Sequence, residues 1–280
     1  MGESWKQFPK REQIMNKGRK GKGVPSLGNI PSGLPVIVTG ASGSIGREIC
    51  RSLARLGVPV IMACRSEARY AQTYGELLRE FPAFDAVFLP LDLNMSSSVT
   101  EAVNRLKGVR LAGIINNAGT MERHFSLSAD GPETTMNVNY HNTRLLNQLL
   151  LPQIAPGGSV VFTTSLTRRR WGTRHLPATV TEESFGQLRS YSLSKAWITR
   201  FAAGFASEGK KCGVRVNCAD PGVVDSSMIR MDRWFDPIAD IVFRPLIRTP
   251  RNGAVPALRA LLSGETSRIY TLRASLPLNK

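Results

Sequence analysis

The run Val36-Ile-Val-Thr-Gly-Ala-Ser-Gly-Ser-Ile-Gly46 constrains this chain more than any other stretch. A short apolar segment breaks into a turn carrying Gly40, Gly43 and Gly46, and a helical pattern follows at once. Such a turn lets an anion approach the backbone and rest on a helix N-terminus, where unpaired N–H groups and the macrodipole favour negative charge. The alternation then repeats. Apolar, β-branched runs at 36–39, 58–63, 86–91, 111–116, 159–164 and 214–219 are separated by helical stretches at 45–56, 67–80, 97–106, 132–151 and 190–207. A last helix at 251–262 and a strand at 268–271 complete the pattern. Strands alternating with helices predict βαβ units, hence an α/β fold with a doubly wound parallel sheet and helices on both faces, in one domain.

Residues 1–33 differ. Lys6, Lys10, Arg11, Lys17, Arg19, Lys20 and Lys22 face only Glu3 and Glu12, and glycines and prolines interrupt any period. This predicts a flexible basic arm ahead of a domain at 34–280. Over all 280 residues, 37 Lys and Arg stand against 21 Asp and Glu, a formal charge of +16. That charge suits a basic soluble enzyme, an anionic membrane surface or an acidic partner. No nucleic-acid motif accompanies it, which argues against nucleic acid as a partner. No apolar run approaches the ~20 residues that span a bilayer. The N-terminus also lacks a signal-peptide pattern. Cys50, Cys64, Cys212 and Cys218 form no CxxC pair and read as buried thiols in a reducing compartment, which predicts a cytoplasmic protein. No metal-binding constellation surrounds the three histidines.

A second constellation is Tyr191-Ser-Leu-Ser-Lys195, which sets a phenol and an ammonium four residues apart on one helix face. Asp92-Leu93 ends the third predicted strand and Asn116-Asn-Ala-Gly119 the fourth, so these points and the glycine turn fall on one sheet edge. A nucleotide cradle beside such a tyrosine suggests hydride transfer at a carbonyl carbon. An ammonium next to the phenol favours its ionisation, bringing its pKa down from ~10 toward working pH.

These landmarks, taken with Ala63-Cys64-Arg65, Val138-Asn139, Thr164-Ser165 and Pro221-Gly222, resemble the short-chain dehydrogenase/reductase superfamily, and within it the retinol-dehydrogenase-type branch. The resemblance implies a Rossmann sheet over about residues 34–272. It implies Tyr191 as acid/base, Lys195 as the group that shifts its pKa and binds the nicotinamide ribose, and Ser165, ahead of Thr164, as the anchor of the substrate oxygen. Asn139, with Asn137 as its rival, matches the asparagine that kinks a helix and holds a relay water. Cofactor contacts fall by the same resemblance on Gly40, Ser42, Gly43, Ser44, Ile45, Gly46, Arg65, Asp92, Leu93, Asn117, Ala118, Gly119, Tyr191, Lys195, Pro221, Gly222, Val224 and Ser226. One departure is Ser44, where the standard TGxxxGxG pattern has glycine; Asn116-Asn-Ala-Gly119 and the modest length keep the chain with the standard branch. The second strand ends in Met62-Ala-Cys-Arg65, with no acid for a ribose 2′-hydroxyl and a guanidinium suited to a 2′-phosphate. NADP(H) is therefore expected over NAD(H), with Arg69 and Arg47 assisting.

The 26-residue interval from Ser165 to Tyr191 is typical of the retinol-type branch and contains Arg168-Arg-Arg170, Trp171, Arg174 and His175. The triple arginine reads as a solvated loop or as a site for an anionic substrate or lipid head group. Large apolar residues crowd 223–248, which suits a substrate lid. Arg230, Arg233, Arg244 and Arg248 beside it, with the basic arm, suggest peripheral membrane contact. The expected function is an NADP(H)-dependent oxidoreductase for a hydrophobic alcohol or carbonyl of retinoid, steroid or fatty type. Alternatives are reduction of a ketoacyl group on an acidic carrier protein, and a non-catalytic NADP-binding regulator. The resemblance also implies a homodimer.

Overall fold

The computed structural model describes residues 29–171, 175–224 and 248–278. The strands are β1 (Val36–Thr39), β2 (Val60–Cys64), β3 (Ala86–Pro90), β4 (Leu111–Asn116), β5 (Ile154–Thr163), β6 (Arg215–Ala219), β7 (Arg268–Tyr270) and β8 (Ser275–Pro277). Among the described residues they form one sheet in the order β3-β2-β1-β4-β5-β6-β7-β8. All neighbours pair parallel except β7 and β8, which are antiparallel. The order reverses between β1 and β4, the switch point at which doubly wound sheets open a ligand crevice.

The helices are α1 (Ser44–Arg55), α2 (Glu67–Glu80), α3 (Ser96–Arg105), α5 (Gln187–Lys211) and α6 (Pro250–Leu262). Between α3 and α5 lies α4, which begins as Thr134–Met136, widens into a π-helical turn at Asn137–His141 and resumes as Asn142–Leu150. Every residue of β1, β2 and β4 is buried. Successive side chains point to opposite faces of a strand. Val36 and Val38 accordingly join one core with Ile49 and Leu53 of α1, Leu77 of α2 and Ala257 and Leu261 of α6. Ile37 joins the other, with Val99 of α3, Leu146 of α4 and Phe205 of α5. Burying a side chain of this size contributes about 1.5–3 kcal/mol. Both sheet faces are thus dry and helix-covered, which is why the strands read as unbroken apolar runs.

Some expected boundaries shift. The fifth strand begins at Ile154 rather than 159, with a register irregularity against β4 between Leu111 and Gly113. The expected helix at 132–151 starts only at Thr134, where the buried Glu133 carboxylate accepts from the Thr135 and Met136 N–H groups. Beyond the last expected strand the chain adds β8 as an antiparallel margin. Both marginal strands, β3 and β8, end in proline. No described helix is long and apolar enough to cross a membrane.

Candidate active site

Parallel strands deliver their C-terminal ends to one edge, and there the site assembles. After β1 the chain turns at Gly40 with φ +63°, and a Cβ on Gly46 would lie 2.1 Å from the Gly40 carbonyl oxygen. Glycine at 46 is what lets α1 start against the turn. The α1 N-terminus carries no acid in its first turn and no side-chain cap, so its positive end stays open. Ser44 is its first helical residue. Gly43 donates its N–H to the Gly40 carbonyl at 3.0 Å, and Ser42 is buried near Cys64. A glycine cradle in front of an uncapped helix fits a dinucleotide pyrophosphate.

The end of β4 is pinned to this turn. Asn117 Nδ2 donates to the Thr39 and Gly40 carbonyls at 3.0 and 3.3 Å, and the Ala118 N–H donates to Thr39 Oγ1 at 3.0 Å. Beyond β2, Arg65 is exposed. Arg69 is exposed as well, and Arg47, also expected to assist, bonds Glu76 at 3.0 Å. Beyond β3, Asp92 Oδ1 accepts from the Asn94 N–H at 2.9 Å, and the buried Leu93 offers its carbonyl to Asn142 Nδ2.

Helix α5 carries Tyr191 and Lys195. Lys195 is 4% exposed, its Nζ donates to the Thr163 carbonyl at 3.0 Å and lies 5.5 Å from the Tyr191 ring centroid. A Cβ on Gly119 would come within 3.1 Å of Asn139 Oδ1 and 3.4 Å of Lys195 Nζ, so the ends of β4, β5, α4 and α5 converge. The Ser165 hydroxyl, which accepts from Thr167 Oγ1 at 3.0 Å, lies near enough to the Tyr191 phenol to favour its ionised form. Thr164 instead points inward, with Oγ1 2.5 Å from Thr199 Oγ1. Asn139 sits on the π-helical turn, bonded to the Thr120 backbone and to Ser194 Oγ at 3.0 Å. Its rival Asn137 is turned away, bonding the Asn94 carbonyl and Asp130.

Electrostatics differ from the sequence expectation. Burial pushes Lys195 down to about 8, against the pull of Asp220, which favours its ammonium. Burial and the Asp220 charge push the Tyr191 phenol up to about 12, outweighing the Ser165 hydroxyl, which lowers it. At neutral pH the phenol therefore holds its proton.

The comparison with known families decides the class: the short chain dehydrogenase profile matches residues 35–234. The chain belongs to this family. Polyprenol dehydrogenase of Mus musculus is 33% identical over 211 residues, which cover 72% of this chain and 63% of that relative. Retinol dehydrogenase 14 of Mus musculus is 30% identical over 257 residues, 85% of this chain and 75% of that one. A solved short chain dehydrogenase from Burkholderia cenocepacia J2315, in complex with NADP, superposes with a TM-score of 0.68 at 22% identity, covering 85% of this chain and 95% of that chain. That likeness speaks for the fold. The chain is thus an oxidoreductase of the retinol-dehydrogenase-like branch.

In this short-chain dehydrogenase the loop after β6 carries Pro221 and Gly222, the latter at φ +74° over the Arg248 guanidinium, which donates to the Pro221 carbonyl at 3.1 Å. Arg248 is therefore engaged within the site loop. Val224 is buried, its methyl groups against Gly253 of α6, where Ile45 of α1 also reaches. Ser226 and most of the expected lid fall outside the described residues. In the interval before Tyr191, the triple arginine divides: Arg169 and Arg170 are exposed, whereas Arg168 bonds the Ser165 carbonyl at 2.8 Å and Asp220 at 3.2 Å. Trp197 Nε1 donates to the Pro177 carbonyl at 2.8 Å, fastening the same interval to α5. Sequence reasoning missed Asp220, Thr120 and the Thr163 carbonyl. Only Asp220 left a trace, as an acid directly before the Pro221-Gly222 pair.

Proposed function

We propose that the chain is an NADP(H)-dependent oxidoreductase acting on a hydrophobic alcohol or carbonyl compound. The observation that carries this reading is the Tyr191 ring with the buried Lys195 Nζ 5.5 Å from its centroid, on the same sheet edge as the uncapped N-terminus of α1. Bound NADPH would supply the hydride; the chain supplies the rest. Ser165 holds the carbonyl oxygen and Tyr191 delivers a proton to it as that oxygen gains charge. Lys195 supports the phenolate left behind and binds the ribose. In oxidation the same groups work in reverse. The protonated phenol at neutral pH is the form that reduction requires. Asn139 supports the relay that restores the proton. Gly40, Ser42, Gly43, Ser44, Ile45 and Gly46 would hold the pyrophosphate, with Asp92, Leu93, Asn117, Ala118 and Gly119 along the crevice. Pro221, Gly222, Val224 and Ser226 would lie on the nicotinamide side.

The preference for NADP(H) rests on exposed Arg65 at the end of an acid-free β2. The relative of known structure that binds NADP is consistent with it. The substrate class rests on the two curated relatives, named for a polyprenol and a retinol, and on exposed Leu166, Leu188 and Val223 on the segments that carry Ser165, Tyr191 and Gly222. Peripheral contact with a membrane and pairing of two copies complete the proposal; flotation with anionic vesicles and light scattering read them. The deciding experiment follows NADPH absorbance at 340 nm with retinal, polyprenal, ketosteroids, aliphatic aldehydes and a ketoacyl thioester, beside Tyr191→Phe. Turnover of one class, lost in the variant, establishes the reaction. Tight NADPH binding with no turnover of any class points instead to a regulatory nucleotide-binding protein.

A further inference from the structure

We propose that the buried Arg168–Asp220 ion pair sets the electrostatic potential at Tyr191 and Lys195, making both its members positioning residues for proton transfer. The proposal rests on the reading of Tyr191 as the acid/base. Asp220 directly follows β6, and its side chain is 3% exposed; that of Arg168, in the 3-10 turn Leu166–Trp171 after β5, is 11% exposed. Asp220 Oδ2 takes the Arg168 Nη1 at 3.2 Å, and Oδ1 accepts the Gly222 N–H at 3.0 Å. The same Arg168 Nη1 donates to the Ser165 carbonyl. The pair therefore clasps the loop that carries the substrate anchor to the loop that would flank the nicotinamide.

A clasp alone does not require charge. A buried ion pair adds little net stability over an apolar contact of similar volume. Its field, however, acts strongly where water is excluded. The groups facing Asp220 are Arg168 from the turn after β5, Tyr191 and Lys195 from α5, and Cys218 from β6. Tyr270 of β7 contributes its carbonyl, which accepts the Asp220 N–H, and Arg248 before α6 binds at Pro221. Asp220 holds protons on both Tyr191 and Lys195. Arg168 opposes that pull at its source by neutralising the carboxylate. Shifting the balance either way moves both members of the catalytic pair together.

The two roles make opposite forecasts for single variants. If the pair acts through charge, Asp220→Asn lowers the Lys195 titration midpoint by about one pH unit or more, and Arg168→Met raises it by less. The double variant Arg168→Met/Asp220→Asn returns toward the wild-type midpoint. If the pair only holds two loops together, both single variants shift the midpoint in one direction and the double variant lies at least as far out.

Lys195 titration is read by NMR of 13Cε-labelled lysine in the full-length protein, with Lys195→Met assigning the signal. This readout needs no substrate, so it stands even if no carbonyl compound is turned over. Once a substrate is known, the pH profile of kcat for alcohol oxidation should move in the same directions through Tyr191. Where a single variant does not fold, Arg168→Lys keeps the charge and is expected within a few tenths of a unit of wild type. Displacement of that variant from wild type by about half a unit or more would overturn the proposal.

Discussion

Asn139 and Thr120 are locked together by two bonds: the Thr120 N–H donates to Asn139 Oδ1 at 2.8 Å, and Asn139 Nδ2 donates to the Thr120 carbonyl at 2.8 Å. The π-helical turn brings Asn139 inward, so the kink and the bond are one device. Asn139→Ala leaves the Thr120 backbone without these partners. The expected cost is about 1–3 kcal/mol in denaturant unfolding, with turnover falling further than binding of NADPH. Unchanged turnover in a destabilised variant would remove Asn139 from the relay.

Ser165 and Thr164 are neighbours with separate duties. Ser165→Ala should lower kcat/KM about 100-fold, as loss of a donor to a developing oxyanion does, at unchanged melting temperature. Thr164→Val removes the bond to Thr199 and should cost roughly 1 kcal/mol of stability while leaving kcat/KM near wild type. An exchange of these two outcomes would reverse the assignment.

Arg65 carries the cofactor preference. Arg65→Ala should weaken NADPH binding about tenfold or more, the size of a lost charge-assisted bond, and leave NADH binding unchanged. Fluorescence titration with both nucleotides reads it directly. Equal losses for both would mean that Arg65 supports the loop rather than a 2′-phosphate.

Lys195 is held at about 8 against the usual 10.5. Below pH 8 folded and unfolded chains both carry its proton, and the folded chain bears the full burial penalty. Between about 8 and 10.5 the unfolded chain holds the extra proton, so this group's contribution to stability rises with pH across that window. Lys195→Met should accordingly be more stable than wild type at pH 7, and the advantage should shrink as pH rises through the window. Paired chemical denaturations at several pH values test this. An advantage that does not change with pH would mean that Lys195 pays no burial penalty in the fold.

What could be read beforehand follows the range of the interactions. Strands β1 to β4, the glycine turn and the Tyr191–Lys195 pair depend on neighbours within a few residues, so periodicity and spacing exposed them. The division of the arginine triplet did not show, because Arg168 differs from Arg169 and Arg170 only through Asp220, 52 positions away. The direction of the Tyr191 shift was hidden as well: the adjacent lysine is visible in sequence, whereas the burial of the phenol and the Asp220 carboxylate near it are not. Strand β8 is only three residues long and ends in proline, a poor strand signal until β7 offers it a partner.

The prolines at the two margins of the sheet have a consequence for the molecule in a crowded solution. Pro90 and Pro277 have no N–H to give, one on β3 and one on β8. An incoming strand from a second molecule therefore meets an interrupted ladder at either border, and runaway sheet growth has no clean template from which to start.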